Sequence, residues 1–229
     1  MTTLLAVAHG TADPNGLAEI RRLVMRVRTR RPDVPVELAW LERAEPSLPM
    51  ALAALTGRVV VVPLLLSTGY HVKVDITSAV AERPETVVAR QLGPDDRITR
   101  VVLQRLLVDR DEAVDVVLFG AGSSDPESFQ QLSAVGLQLQ QWLGDRQGEP
   151  IRVLPRMLTD RAWEQGVPDE VDVASYLLAP GHFDDQLRRH GIALGAQAVA
   201  APIGAHPAVA AVVWDRFDEA VAEPGSAVG

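Results

Sequence analysis

Two histidines and one glutamate in the first third of the chain are the residues whose types and placement could do chemistry. His9 directly follows the apolar run 3–8, Glu42 directly follows a second apolar stretch, 34–41, and His71 lies in the glycine-containing loop after a third, 59–66. Neutral imidazole nitrogen and carboxylate oxygen suit borderline divalent ions such as Fe²⁺, Co²⁺, Ni²⁺ or Zn²⁺. The same groups accept protons near neutral pH. Each residue alone has an ordinary reading: a histidine at a strand end commonly caps backbone, and Glu42 between Leu41 and Arg43, close to Glu45, reads as part of a solvated charge cluster. A site requires that the fold bring the three together. Cysteine is absent, which excludes disulfides, iron–sulfur clusters, thiolate metal sites and a cysteine nucleophile.

The elements that must position these residues alternate regularly. The runs 3–8, 34–41 and 59–66 read as strands; the third, Val59-Val60-Val61-Val62-Pro63-Leu64-Leu65-Leu66, is continuously apolar and so predicts burial on both faces. Leu17, Ile20, Val24 and Val27 recur at helical spacing over 16–31, and Pro32 ends that helix. Helices are predicted at 46–55, 75–82 and 98–108, with a weaker strand at 86–90. The second half repeats the order, with strands at 114–119, 151–156, 173–179 and 196–201 and helices at 126–143, 183–190 and 207–221. Such alternation implies parallel sheets wrapped by helices, with ligand sites beyond the C-terminal strand ends. In a doubly wound 2-1-3 order, the ends carrying His9, Glu42 and His71 are neighbours.

The chain also repeats itself. Val7-Ala8-His9-Gly10-Thr11-Ala12-Asp13-Pro14 resembles Phe119-Gly120-Ala121-Gly122-Ser123-Ser124-Asp125-Pro126, and Leu65-Leu66-Ser67-Thr68-Gly69 resembles Leu177-Leu178-Ala179-Pro180-Gly181. Leu92-Gly93-Pro94 matches Ile203-Gly204-Ala205 at nearly the same offset. The expected fold class is therefore α/β, two similar doubly wound parallel-sheet halves with a cleft between them. The domains divide at 1–110, which carries the site, and 111–229, a degenerate copy.

With 22 basic and 30 acidic residues the formal charge is −8, which argues against a nucleic-acid or anionic-membrane surface. No basic leader precedes residues 2–8, so a cytoplasmic location is expected. The stretch 192–214 holds no Asp, Glu, Lys or Arg, but Pro202, Gly204 and Pro207 break it, so strand, turn and helix are expected there rather than a membrane span.

Three segments of the first half resemble the sirohydrochlorin chelatases of the siroheme and cobalamin pathways. They are the leading strand with His9-Gly10, then Trp40-Leu41-Glu42-Arg43-Ala44-Glu45-Pro46-Ser47, then Val61 through Ile76, which ends in His71-Val72-Lys73-Val74-Asp75-Ile76. The resemblance covers residues 3–108. It implies a class II chelatase fold and ATP-independent insertion of Co²⁺ or Fe²⁺ into sirohydrochlorin or a related anionic tetrapyrrole. The family's two histidines map onto His9 and His71 and its acidic residue onto Glu42, as metal ligands and proton acceptors. The metal is then a substrate and no nucleotide is needed. A polycarboxylate substrate meeting a net acidic protein needs local cations, for which Arg43 and Lys73, the chain's single lysine, are the candidates. Ser67, Thr68 and Tyr70 could hydrogen-bond side-arm carboxylates, and Gly10 lets a ligand approach the backbone. A monomer or homodimer is expected.

By the repeat, Ala121 matches His9, Phe183 matches His71, and the Glu42 position falls near Leu154. The second half should therefore lack the three-residue site. His182, His190 and His206 read as structural. Gly120-Ala121-Gly122 is not a nucleotide loop, since Asp125 stands at the third glycine position. The alternative functions are a metal or tetrapyrrole carrier without turnover and a phosphohistidine enzyme using His9. The second is disfavoured because Ala8 stands where histidine phosphatases place arginine.

Overall fold

A computed structural model describes residues 2–69, 71–81, 83–108 and 114–222, with only the backbone described at 71–73. The chain order begins β1 (Thr3–Ala8), α1 (Pro14–Arg30), β2 (Val36–Trp40), α2 (Leu48–Ala54) and β3 (Val59–Pro63). A π-helical turn, His71–Ile76, runs into a single helical turn, α3 (Thr77–Val80), followed by β4 (Thr86–Val88) and α4 (Asp96–Leu106). Then come β5 (Asp115–Gly120), α5 (Pro126–Gln147), β6 (Val153–Met157), β7 (Val171–Tyr176), α6 (His182–Ala193) and α7 (Pro207–Ala222).

The first sheet is parallel in the order β2-β1-β3-β4. Every residue of β1 and β3 is buried, as their unbroken apolar runs require of central strands covered on both faces. One face packs Leu5, Val7, Val59 and Val61 against Leu48, Leu52 and Ile76. Each such side chain contributes about 1.5–3 kcal/mol by leaving water. Helix α1 starts where Asp13 accepts a hydrogen bond from the Asn15 amide, and Pro14 supplies a preset φ at its first position. The second sheet, β6-β5-β7, is also parallel, and Asp125 caps α5 in the same way.

The repeat and the packing divide the chain differently. One compact unit consists of Met1–Gly93 with Ala205–Gly229; the other is Pro94–Gly204. Helix α4, encoded in the first repeat, packs on β7, and α7, encoded in the second, packs on α1, β3 and β4. An apolar stripe of Val209, Val212, Val213 and Phe217 buries α7. The Trp214 indole N–H donates to the Val27 carbonyl at 3.1 Å, and Arg31 pairs with Asp218 at 2.7 Å. The same helix reaches the end of the first sheet through Glu219, which takes a two-pronged hydrogen bond from Arg90 at 2.8 and 3.0 Å.

Two predicted elements differ. Residues 196–201 form no strand. They make one isolated bridge, Val173 with Val199, flanked by hydrogen bonds from the Gln197 amide to Val171 and from the Ala200 amide to Val173. The helix placed at 75–82 instead begins as the π turn at His71, so His71 opens a helical turn rather than sitting within a loop; Glu82 lies outside the described residues. No helix among the described residues is long and apolar enough to cross a membrane. The uncharged stretch 192–214 is divided between the end of α6, a turn and the start of α7.

Arg90's hydrogen bonds hold the Glu219 carboxyl below its ordinary range, against a smaller opposing effect of burial. A depressed carboxylate stabilises the fold above its unfolded pKa, and that stabilisation is lost as pH falls through the folded value. Melting of the native chain is therefore expected to drop more steeply between about pH 5 and 3 than melting of Glu219→Gln. Parallel thermal unfolding curves across that range check it.

Candidate functional site

The β1–β2 ladder does not stop at the strand ends. The Leu41 amide donates to the Ala8 carbonyl at 2.9 Å, and the Glu42 amide donates to the His9 carbonyl at 3.0 Å. Two further rungs of backbone pairing therefore set His9 and Glu42 side by side beyond the C-terminal edge of the sheet. Gly10 makes this possible. Its φ is 101°, and a β-carbon there would stand 1.8 Å from the Glu42 carbonyl oxygen, so neither the conformation nor the space admits a side chain.

The result is a coupled pair. His9 Nδ1 lies 3.4 Å from Glu42 Oε1 and 3.2 Å from the Gly10 carbonyl oxygen. Both neighbours are acceptors, so Nδ1 is assigned the proton and the ring lone pair falls on Nε2, the nitrogen able to bind a metal ion. A carboxylate behind the protonated nitrogen fixes the orientation of the ring, as in carboxylate–histidine–metal arrangements. Both side chains are about two-fifths exposed, open enough to meet a ligand.

Arg43 closes the group on the solvent side. It occupies the left-handed region at φ 60°, and its Nε donates to Glu42 Oε1 at 3.1 Å. One carboxylate oxygen thus serves both His9 and Arg43. Glu45 is turned away, accepting from the Ser47 amide at 2.7 Å. The third strand contributes from the same edge. The Leu64 amide donates to the Val7 carbonyl at 2.7 Å, and the chain then runs through half-buried Ser67 and buried Thr68 to the π turn that His71 opens. Single π turns inside helices occur often at functional sites. Tyr70 lies outside the described residues, as do the side chains of His71 and Lys73. Among the described residues no three His, Asp or Glu side chains gather as a metal site.

The second repeat builds the same backbone with different side chains. The Leu158 amide donates to the Gly120 carbonyl at 2.9 Å, the counterpart of Leu41 on Ala8. Gly122, at φ 107°, would place a β-carbon 2.3 Å from Thr159 Oγ1. The position equivalent to Glu42 is therefore Thr159 and not Leu154, the residue suggested by the repeat offset; the hydrogen-bond register, which linear spacing did not reveal, decides it. Ala121 and Phe183 pack against the apolar cluster of Phe119, Trp163 and Leu187. His9, Glu42 and His71 are thus replaced by alanine, threonine and phenylalanine, two of them drawn into a core. His190 lies within α6, its ring 3.9 Å from that of Trp163. Burial, with the charge of Arg189 behind it, holds His190 below the ordinary imidazole range. It is a neutral packing residue.

Residues 3–108 match the family model CbiX. The chain is 30% identical over 149 residues to a sirohydrochlorin ferrochelatase of Priestia megaterium, covering 59% of this chain and 56% of that one. It is also 30% identical over 173 residues to the sirohydrochlorin ferrochelatase of Bacillus subtilis (strain 168), covering 68% and 62%. The chain thus spans less than two thirds of the length of these two relatives. A crystal structure of the sirohydrochlorin chelatase SirB from Bacillus subtilis subspecies spizizenii in complex with cobalt superimposes with a TM-score of 0.77 at 23% identity, covering 97% of this chain and 96% of that one. The duplicated sheets are therefore those of the class II chelatases, and the strand ends that pair His9 with Glu42 fall within the matched segment. Over residues 3–108, the segment that carries the His9–Glu42 pair, the chain is similar to the CbiX model, and it resembles the sirohydrochlorin chelatases.

Proposed function

We propose that the chain inserts Co²⁺ or Fe²⁺ into sirohydrochlorin or a closely related anionic tetrapyrrole, without a nucleotide, at the N-terminal strand ends. The observation that carries this reading is the His9–Glu42 pair at 3.4 Å, a metal-binding nitrogen backed by a carboxylate at an open sheet edge. We place the function in residues 1–110 and read 111–229 as its degenerate copy. The location proposed is the cytoplasm and the assembly a monomer or homodimer.

The reaction exchanges one M²⁺ for two pyrrole protons. His9 Nε2 and His71 hold the incoming ion as substrate, with Glu42 beside it. Nitrogen and oxygen ligands without thiolate bind such an ion loosely enough to hand it over. As each metal–pyrrole bond forms, a pyrrole nitrogen loses its proton, and the carboxylate–imidazole pair is the acceptor within reach. Arg43 gives the site a cation for the macrocycle's side arms, and Lys73, Ser67, Thr68 and Tyr70 are the further residues assigned to bind them.

A carrier of the same fold is the second reading, favoured by the loss of all three site residues in the second repeat. Anaerobic metallation of purified sirohydrochlorin with Co²⁺, Fe²⁺ or Ni²⁺, followed by absorption, separates the two. A carrier binds the macrocycle and leaves its spectrum metal-free through many turnovers.

His9→Ala and His71→Ala are each expected to reduce insertion by about 100-fold or more with little change in melting temperature. Glu42→Gln, which keeps shape but not basicity, should lower kcat more than it alters KM for the tetrapyrrole. Ala121→His should leave the rate unchanged, since Thr159 and Phe183 give it no partners. Steady-state metallation assays on the four variants check this, and full rates in both histidine variants would overturn the assignment.

A further inference from the structure

Arg216 is the one arginine of the chain whose residue surface is almost wholly enclosed among the described residues, at 1% exposure, yet it sits in the apolar stripe of α7, far from the proposed site in sequence. Its guanidinium is directed at backbone. Nε donates to the Gln91 carbonyl at 3.0 Å and one terminal nitrogen donates to the Leu92 carbonyl at 2.9 Å, while the other meets Glu219 at 3.2 Å. Glu219 in turn holds Arg90. Three consecutive residues, 90–92, are thereby fixed to the last helix. From there the Leu92 amide donates to the Leu65 carbonyl at 2.9 Å. Leu65 begins the stretch that carries Ser67, Thr68 and Tyr70 to the π turn at His71.

The other unit contains the matching contacts in weaker form. Arg105 of α4 donates to the Ile203 carbonyl at 3.2 Å, and the Ile203 amide donates to the Leu177 carbonyl at 2.9 Å. There Arg105 Nε is buried without a hydrogen-bond partner, so the fork is half engaged. The fully engaged fork belongs to the compact unit that holds His9, Glu42 and His71. A planar guanidinium that bridges two successive carbonyls sets their spacing, which a single ammonium cannot do.

We propose that Arg216 is a positioning residue for metal insertion, setting the β3 loop and the start of the π turn through the segment 90–92. The proposal rests on the chelatase reading for its effect on rate, but not for its effect on the loop. A loop held loosely costs rate through misplacement of the groups it carries.

The test compares Arg216→Lys and Glu219→Gln with two controls, Arg105→Lys in the other unit and Trp214→Phe, which loosens α7 against α1 without touching 90–92. Glu219 is exposed, so its variant is expected to fold even if Arg216→Lys does not. Steady-state metallation is read with amide hydrogen exchange over residues 64–69. Arg216→Lys is expected to lower kcat about tenfold with KM little changed and to speed exchange at 64–69, and Glu219→Gln to do the same more weakly. Arg105→Lys and Trp214→Phe should leave both readouts near the native values. Native exchange at 64–69 in both Arg216→Lys and Glu219→Gln would overturn the proposal, as would an equal loss of kcat in Trp214→Phe at matched melting temperature. If the native protein metallates nothing, the chelatase reading fails, and the exchange measurement alone decides the role of Arg216.

Discussion

The passage of Gly10 against the Glu42 carbonyl is the contact on which the candidate site depends. Parallel strands usually diverge once their ladder ends. Here the ladder is carried two rungs further because one residue has no side chain, and the extension lines up His9 with Glu42 at 3.4 Å. A larger residue at position 10 would push the two chain segments apart before it disturbed any other part of the sheet. The histidine's tautomer follows from that same proximity.

The second repeat shows that this backbone device and the chemistry are separable. Gly122, the Leu158–Gly120 hydrogen bond and the Asp125 cap reproduce Gly10, Leu41–Ala8 and Asp13. What stands on that scaffold is Ala121, Thr159 and Phe183. The fold therefore persists where no imidazole or carboxylate remains to use it, which is why the function is argued from side chains and not from the sheet. In a net acidic chain Arg43 places a cation beside this pair, sharing the carboxylate oxygen that lies against His9.

Much of this was legible in the residues. The unbroken Val59–Val62 run could only be a strand buried on both faces, and the helical spacing of Leu17, Ile20, Val24 and Val27 announced α1. The 2-1-3 order followed from parallel alternation, and with it the nearness of His9 and Glu42. Four things were not readable, or barely so. The site register in the second repeat depended on which amide meets Gly120, and β6 lies five residues out of step with a simple offset. The bridge at Val199 is held by a few backbone contacts that composition does not distinguish from a strand. Arg216 carried a faint signal, a charged residue inside the stripe Val209, Val212, Val213 and Phe217, but a stripe cannot say whether such a residue is enclosed or reaches water. The π turn at His71 leaves no compositional mark at all.

The exchange of α4 and α7 has a consequence for how the polypeptide is made. The unit holding His9 and Glu42 is assembled from two stretches, Met1–Gly93 and Ala205–Gly229, whereas its companion, Pro94–Gly204, is a single uninterrupted run. On the ribosome, the strands bearing these groups emerge early but must wait, with one sheet face uncovered, until the closing helix is synthesised. The interrupted unit therefore depends on contacts of the widest sequence separation, which form slowly. By this wiring, the unit that carries these groups is completed only after the whole of its companion unit has been made.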